Sequence, residues 1–391
     1  MKVGVFSNSI SNKGGGIAYY LKEQYKSLHS SLDYEILTLC DGDTGKDEYP
    51  ELHFKAFQKQ PWNGFKFGYS REMQSFLKQK RDYDVLHINS IWGYSHLAGF
   101  NYAEKYRIPY LLSTHGMFAS EALKVSRFKK QIMSKLFISK SLQSCNCVHV
   151  TTLNEYENVR RFGATCPIAI VPIGIDLSLY QEKTDETEIF DKWPELKGKR
   201  ILLFLSRVDP IKSVENLILA WSRLKDKFKD WHLVIAGDGN QQYLSELVQI
   251  VDKKNINHRV TFTGSVYGKD KNALFSMCDL FVLPTKTENF GIVIPEAFAF
   301  KKPVITTKGA PWGEIEEHNC GWWIDYGVDP LIKSLDTALS LNKSSLEEMG
   351  KNGLTLVKQK YSWEQISNQM IQLFQWVKNK EITRPEFVKI D

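Results

Sequence analysis

Two glutamates, Glu288 and Glu296, stand eight positions apart in TENFGIVIPEAFAF, with a glycine-containing turn between them. Carboxylates so placed suit a clamp on hydroxyls, one gripping a sugar and the other a ribose. The same spacing also arises on an ordinary solvated helix face in a chain with 25% charged residues, so the neighbourhood has to separate the two readings. Glu288 follows the apolar run LFVLPT (Leu280 to Thr285), and Glu296 falls in the helical segment after it. The pair therefore spans a strand-to-helix junction, where open α/β sheets bind ligands.

Other candidates for chemistry sit at similar junctions. RILLFLS is followed by Arg207 and then by VDPIKS with Lys212, which places two cations just beyond a strand end and suits a diphosphate. Fixed cations stabilise the charge that develops on a departing phosphate without reorganising. A solvated Arg and Lys on a loop is the bland alternative. His115 in STHGMF lies at another strand end, beside Gly116, and suits a sugar hydroxyl; His87 in DVLHINS has the same local credentials. Gly14, Gly15 and Gly16 lead into a helical pattern, so backbone amides there are placed to approach an anion, or the turn serves only tight packing. AGDGN, with Gly237, and FTGSV, ending at Val266, put glycine at two further strand ends where a base or ribose has room to slide. Either is equally a tight turn.

The elements that must position these residues alternate along the chain. Apolar runs KVGVF, YEILTL, DVLHIN, PYLLSTH, CVHVTT and IAIVPI are interleaved with amphipathic segments, and a second series follows: RILLFLS, WHLVIAG, RVTFTG, LFVLPT and PVITT. This is the pattern of βα units with parallel sheets. The polar stretch EKTDETEIFDKWPELKGK (Glu182 to Lys199) interrupts it. The pattern predicts an N-terminal lobe over 1–177 and a second lobe over 178–361. A terminal helix within 362–391, with apolar Ile366, Met370, Leu373, Phe374 and Val377, packs across them.

With 391 residues, the chain is long enough for two domains of ordinary size. Its amino terminus runs into a β-like alternation with no signal-peptide pattern, and no apolar run is long enough to span a bilayer, so the expectation is a cytoplasmic protein. Six scattered cysteines without metal-ligand spacing read as reduced packing residues. The net charge of +6 favours phosphates or anionic lipid surfaces and does not argue for nucleic acid. One segment, KVSRFKKQIMSKLFISKS (Lys124 to Ser141), mixes cations with Phe, Ile, Met and Leu as an amphipathic helix at a membrane surface does. A solvated helix packed on its apolar face is the competing reading.

In order, the glycine turn, THG, SRVDPIKS, AGDG and TENFGIVIPEAFA resemble the retaining glycosyltransferases of family 4 over nearly the whole chain. The resemblance implies the α/β GT-B fold: two Rossmann-like lobes facing across a cleft, with the C-terminal helix crossing back. It implies transfer of a sugar from a nucleotide-sugar, UDP- or GDP-linked, to an acceptor hydroxyl, with retention and with neither cofactor nor metal. By similarity Glu288 holds hydroxyls of the donor sugar and Glu296 the ribose. Arg207 and Lys212 meet the diphosphate, His115 lies near the sugar, and Gly15 and Gly16 face phosphate and acceptor. Gly237, Val266, Asn289, Phe290, Gly291 and Ile292 complete the donor site. The family pattern has EGFG where this chain has Glu288, Asn289, Phe290 and Gly291, which puts the backbone contacts to the sugar in doubt there. GAPWGEI and CGWW resemble members that build lipopolysaccharide, O-antigen or exopolysaccharide on a polyprenyl diphosphate carrier, in peripheral contact with the inner membrane. Two acids also invite a glycosidase reading, but such a pair flanks one bond, whereas here a helix carries Glu296 away from Glu288. An NAD-dependent oxidoreductase would need GxGxxG, which is missing, and a non-catalytic nucleotide-sugar-binding protein would keep the fold alone.

Overall fold

A computed structural model of the chain describes residues 1–11, 15–40, 51–60, 68–180 and 186–390. The expected glycine turn at Gly14 and the first part of the polar stretch, 182–185, lie outside the described residues. Two compact units result: Met1–Gly174 together with Trp363–Asp391, and Ile175–Ser362. In chain order the strands are β1 (Lys2–Ser7), β2 (Asp33–Leu39), β3 (Phe54–Phe57), β4 (Val85–Asn89), β5 (Tyr110–Ser113), β6 (Cys147–Val150) and β7 (Ile168–Ile170). They continue with β8 (Arg200–Leu205), β9 (Trp231–Ala236), β10 (Val260–Gly264), β11 (Leu280–Leu283), β12 (Val304–Thr307), β13 (Gly321–Ile324) and β14 (Val388–Lys389).

The first unit carries a sheet in the order β14-β7-β6-β5-β4-β1-β2-β3, parallel except where β14 meets β7. Strands β4, β5 and β6 are buried along their whole lengths, as expected of a parallel sheet covered on both faces. Their polar residues satisfy one another. Tyr25 Oη lies 2.6 Å from His87 Nδ1, His87 Nε2 lies 2.7 Å from Ser113 Oγ, Ser113 Oγ lies 2.7 Å from His149 Nδ1, and His149 Nε2 lies 2.8 Å from the Val171 carbonyl. His87 is thus a structural member of a buried chain of hydrogen bonds, with its pKa held far below the usual imidazole range by burial.

The helix Trp363–Lys378 belongs to this unit. Ile366, Met370, Leu373, Phe374 and Val377 are all buried, and Ser27 Oγ meets Ser367 Oγ at 2.6 Å. Burying five such side chains contributes on the order of 10 kcal/mol before the entropy of ordering them is subtracted. Its first residue, Trp363, lies where a side chain on Gly174 would collide with the indole, so glycine lets the chain leave and re-enter the unit side by side.

The second unit has the strand order β10-β9-β8-β11-β12-β13, all parallel. The order reverses between β8 and β11, which makes the gap beyond their carboxyl ends the topological switch point. The sequence pattern missed β3, β13 and β14. All three lie at sheet ends, β14 is two residues long, and every residue of β13 is half-buried, so none reads as an apolar run.

Candidate functional site

Beyond the carboxyl ends of β8, β9 and β10, on one side of the switch point, an open pocket of about 500 Å³ is lined by Leu205, Ser206, Arg207, Gly237, Val266 and Lys271 among others. Glycine is needed in its floor for two reasons. Gly237 has φ +144°, and a Cβ there would strike the Ser206 carbonyl; one on Gly239 would strike the Val208 carbonyl. Val208 and Gly239 form an isolated parallel bridge, with the Val208 amide donating to Asp238 O at 2.8 Å. The loops after β8 and β9 are therefore stitched together as one wall. The glycines at 237 and 239 thus serve a tight turn, and that turn lines the pocket.

Of the two expected cations, Arg207 stands at the wall with its side chain 77% exposed, 4.0 Å from Asp209. Lys212 is buried at the end of the short turn Pro210–Lys212, which Asp209 caps by accepting from the Ile211 amide at 3.0 Å. Its ammonium forms an ion pair with Glu288. The loop carrying Glu288 is pinned from both sides. The Lys286 amide donates to Ile211 O at 2.7 Å, the Glu288 amide to Gly309 O at 2.9 Å, and Trp312 Nε1 to Phe290 O at 2.5 Å. Phe290 is buried against Trp312 and Tyr361, and Gly291 turns the chain at φ +81° with its Cα facing the Glu288 side chain. Asn289 and Ile292 are half-buried beside them. The Asn in place of the family's Gly is thus accommodated without displacing Glu288 from its pair.

Glu296 lies in the helix Val293–Ala299 and is 1% exposed. Its Oε1 accepts from Lys271 Nζ at 2.5 Å and from Tyr180 Oη at 3.4 Å. Its Oε2 is buried with no hydrogen-bond partner among the described residues. A buried carboxylate oxygen left unpaired costs ~1–3 kcal/mol or more, so a donor brought to it would bind favourably. Lys271 was missed by the sequence reading. It lies in the helix Gly268–Met277, and nothing local ties a lysine there to a glutamate 25 positions on; only the packing of that helix beside Val293–Ala299 does so. Through Lys271 the pocket and Glu296 become one constellation.

The remaining candidates lie in the first unit. His115 has φ 48° and Gly116 φ 73°, a left-handed turn at the end of β5. Non-glycine residues are held in that region only by surrounding structure. Here Glu155, 1% exposed, accepts from the Gly116 amide, from Thr114 Oγ1 at 2.6 Å and from the Thr151 amide at 2.8 Å. His115 Nε2 lies 3.0 Å from Asn89 Oδ1, and its ring stacks edge-on to Tyr20. Burial, reinforced by His149, lowers its pKa to about 3, so the imidazole is neutral at neutral pH. Gly15 and Gly16 open the helix Gly15–Leu28, and a Cβ on Gly16 would meet nothing within 4 Å. The packing of the described residues therefore does not demand glycine at 16.

Residues 14–179 match the family described as Glycosyltransferase Family 4, and residues 185–356 match Glycosyl transferases group 1. An uncharacterized glycosyltransferase of Methanocaldococcus jannaschii is 27% identical over 308 residues, covering 75% of this chain and 75% of that protein. The alpha-monoglucosyldiacylglycerol synthase of Acholeplasma laidlawii is 22% identical over 326 residues, 78% of this chain and 80% of its own. Among solved structures, Anabaena HepE in complex with UDP and glucose is similar, with a TM-score of 0.77 at 18% identity over 96% of this chain and 99% of that one. Such a likeness is one of fold, the GT-B fold.

Proposed function

Since the chain belongs to glycosyltransferase family 4, with its second half in the glycosyl transferases group 1, we propose that it transfers a sugar, with retention and without a metal, from a nucleotide-sugar to a hydroxyl of a lipid-borne glycan. The observation that carries this reading is Glu296: a buried carboxylate fixed by Lys271 beside a glycine-floored pocket, with one oxygen that accepts from none of the described residues. A ribose hydroxyl is a donor for it. Arg207 and Lys212 are the cations for the diphosphate.

Lys212 is neutralised by Glu288. When a diphosphate arrives, Lys212 exchanges that carboxylate for phosphate oxygens, and Glu288 is released to accept from sugar hydroxyls. The acceptor hydroxyl then attacks the anomeric carbon from the face the diphosphate is leaving. As the C–O bond to the diphosphate breaks, the hydroxyl proton passes to a diphosphate oxygen, and the cations stabilise the charge left there. His115, neutral at working pH, serves a sugar hydroxyl as a hydrogen-bonding group rather than as an acid. A lipid-borne acceptor is favoured because a relative covering 78% of this chain is named for a glucosyldiacylglycerol product. Lipopolysaccharide, O-antigen or exopolysaccharide assembly on a polyprenyl diphosphate at the cytoplasmic face of the inner membrane is the setting we assign to it.

Thermal unfolding with UDP-, GDP- and ADP-sugars tests the reading, because a ligand that binds only the folded state raises stability by about 2.7 kcal/mol at a hundred times its dissociation constant. We expect one nucleotide class to protect and its sugar conjugates to release nucleotide when an acceptor is added. Protection by none of them refutes the assignment.

A further inference from the structure

The segment joining β5 to β6 keeps large apolar side chains in water. Val125 is 66% exposed, Phe128 75%, Ile132 44% and Leu136 59%. Among the described residues, eleven large hydrophobic side chains are exposed, and these twelve positions hold four of them. Scattered single cases need no explanation, whereas a cluster does. The helices Ser120–Lys124 and Arg127–Met133 bury no residue at all. They are nevertheless tied down: Lys130 donates to the Ala122 carbonyl and lies 5.4 Å above the Trp92 ring, and Ile138 and Leu142 anchor the following turns in the core. After the short helix Ser120–Lys124 the chain runs as helix from Arg127 to Ser144 with a π turn at Ser134–Ile138. The expectation of a helix packed on its apolar face is met in part: Met133, Phe137, Ile138 and Leu142 pack inward on one face, whereas Val125, Phe128, Ile132 and Leu136 face outward.

The charge around this cluster is predominantly positive. Lys124, Arg127, Lys129, Lys135 and Lys140 are exposed; Lys124 pairs with Glu121 at 2.7 Å, and no Asp or Glu occurs from 122 to 154. We propose that this shelf docks on an anionic lipid bilayer, with Val125, Phe128, Ile132 and Leu136 entering the headgroup boundary and the lysines and arginine pairing with lipid phosphates. Charge complementarity selects this occupant. A second copy of the chain docked face to face would oppose two cationic clusters, each with Glu121 already engaged by its own Lys124, which is costly. The proposal adds a membrane surface to the lipid-borne acceptor assigned above but does not depend on donor chemistry, so the two fail separately.

The test is co-sedimentation of the full chain with vesicles of phosphatidylcholine alone and of phosphatidylcholine mixed with phosphatidylglycerol. We expect binding to the mixed vesicles that weakens as salt rises. Arg127→Gln with Lys135→Gln should lower that partition about thirtyfold, taking about 1 kcal/mol per cation near the surface. Phe128→Asp with Leu136→Asp should abolish it while nucleotide-sugar protection against unfolding stays as in the native protein, which also shows that the variant is folded. The proposal is overturned if the native chain shows no preference for anionic vesicles, if the aspartate variant still binds, or if sedimentation equilibrium shows a dimer that this variant dissociates.

Discussion

Replacing Glu296 by Gln keeps the side chain's volume and its Oε1 acceptor while removing the charge. In the native protein Oε1 takes Lys271 at 2.5 Å and Oε2 has no partner among the described residues, although the residue is 1% exposed. Lys271 keeps 24% of its side chain exposed, so its ammonium reaches water when the carboxylate is lost. The stability cost should therefore be about 1 kcal/mol, below the ~3–5 kcal/mol of a fully buried pair that is broken. Donor binding should suffer more. A hydrogen bond to a charged acceptor contributes about 1.5–3 kcal/mol, and the amide NH₂ now faces a ribose hydroxyl where an oxygen stood, so the dissociation constant should rise by roughly one to two orders of magnitude. Titration calorimetry with the nucleotide diphosphate and with its 2′- and 3′-deoxy forms reads this directly. The native protein should lose affinity for at least one deoxy form, and Glu296→Gln should bind that form and the ribose form about equally. An unchanged preference for ribose in the variant would refute the assignment of Glu296, whatever happened to turnover.

Lys212→Met leaves Glu288 without its cation; with the two side chains 10% and 17% exposed, stability should fall by about 1–3 kcal/mol in urea titrations and turnover by about a hundredfold or more. Adding Glu288→Gln should restore the stability and not the transfer, because only the first loss comes from the uncompensated carboxylate. Gly291→Ala must adopt φ +81° and brings a methyl within 3.0 Å of Glu288 Cγ. It should cost ~1–2 kcal/mol and lower kcat with little change in nucleotide affinity, and a loss confined to nucleotide affinity would contradict the placement of Glu288 at the sugar. His96, His115 and His232 have pKa values lowered by burial to about 4, 3 and 4, whereas the unfolded chain protonates near the ordinary imidazole value. The unfolded state then holds more protons below pH ~6.5, so stability is complete above that pH and falls by about 1.4 kcal/mol per unit per histidine as the medium becomes more acid. Urea midpoints that stay flat between pH ~7 and pH ~5 would contradict it.

Much of this was legible in the chain because parallel strands covered on both faces must be apolar throughout. Runs such as RILLFLS and WHLVIAG announce themselves, and the residues that follow them are at ligand-binding ends by the geometry of the fold. Arg207, Lys212 and Glu288 are picked out that way, as residues just beyond strand ends, and Glu296 as a residue of the helix that follows. Their partners are not. That Lys212 faces Glu288, and that Lys271 holds Glu296 with one oxygen unpaired, follows from side chains brought together across 76 and 25 positions, which no local pattern encodes. The same division separates His87 from His115: both stand at or near strand ends in the sequence, but packing closes the first into a hydrogen-bonded chain and holds the second in a left-handed turn over Glu155. The basic segment shows the limit most plainly. Its composition fits a packed helix and a lipid-facing one equally, and only the fold, by burying Ile138 and leaving Phe128 and Leu136 in water, decides which face the apolar residues take. Composition and periodicity determine which residues prefer to leave water; whether they succeed depends on what the rest of the chain has left to cover them.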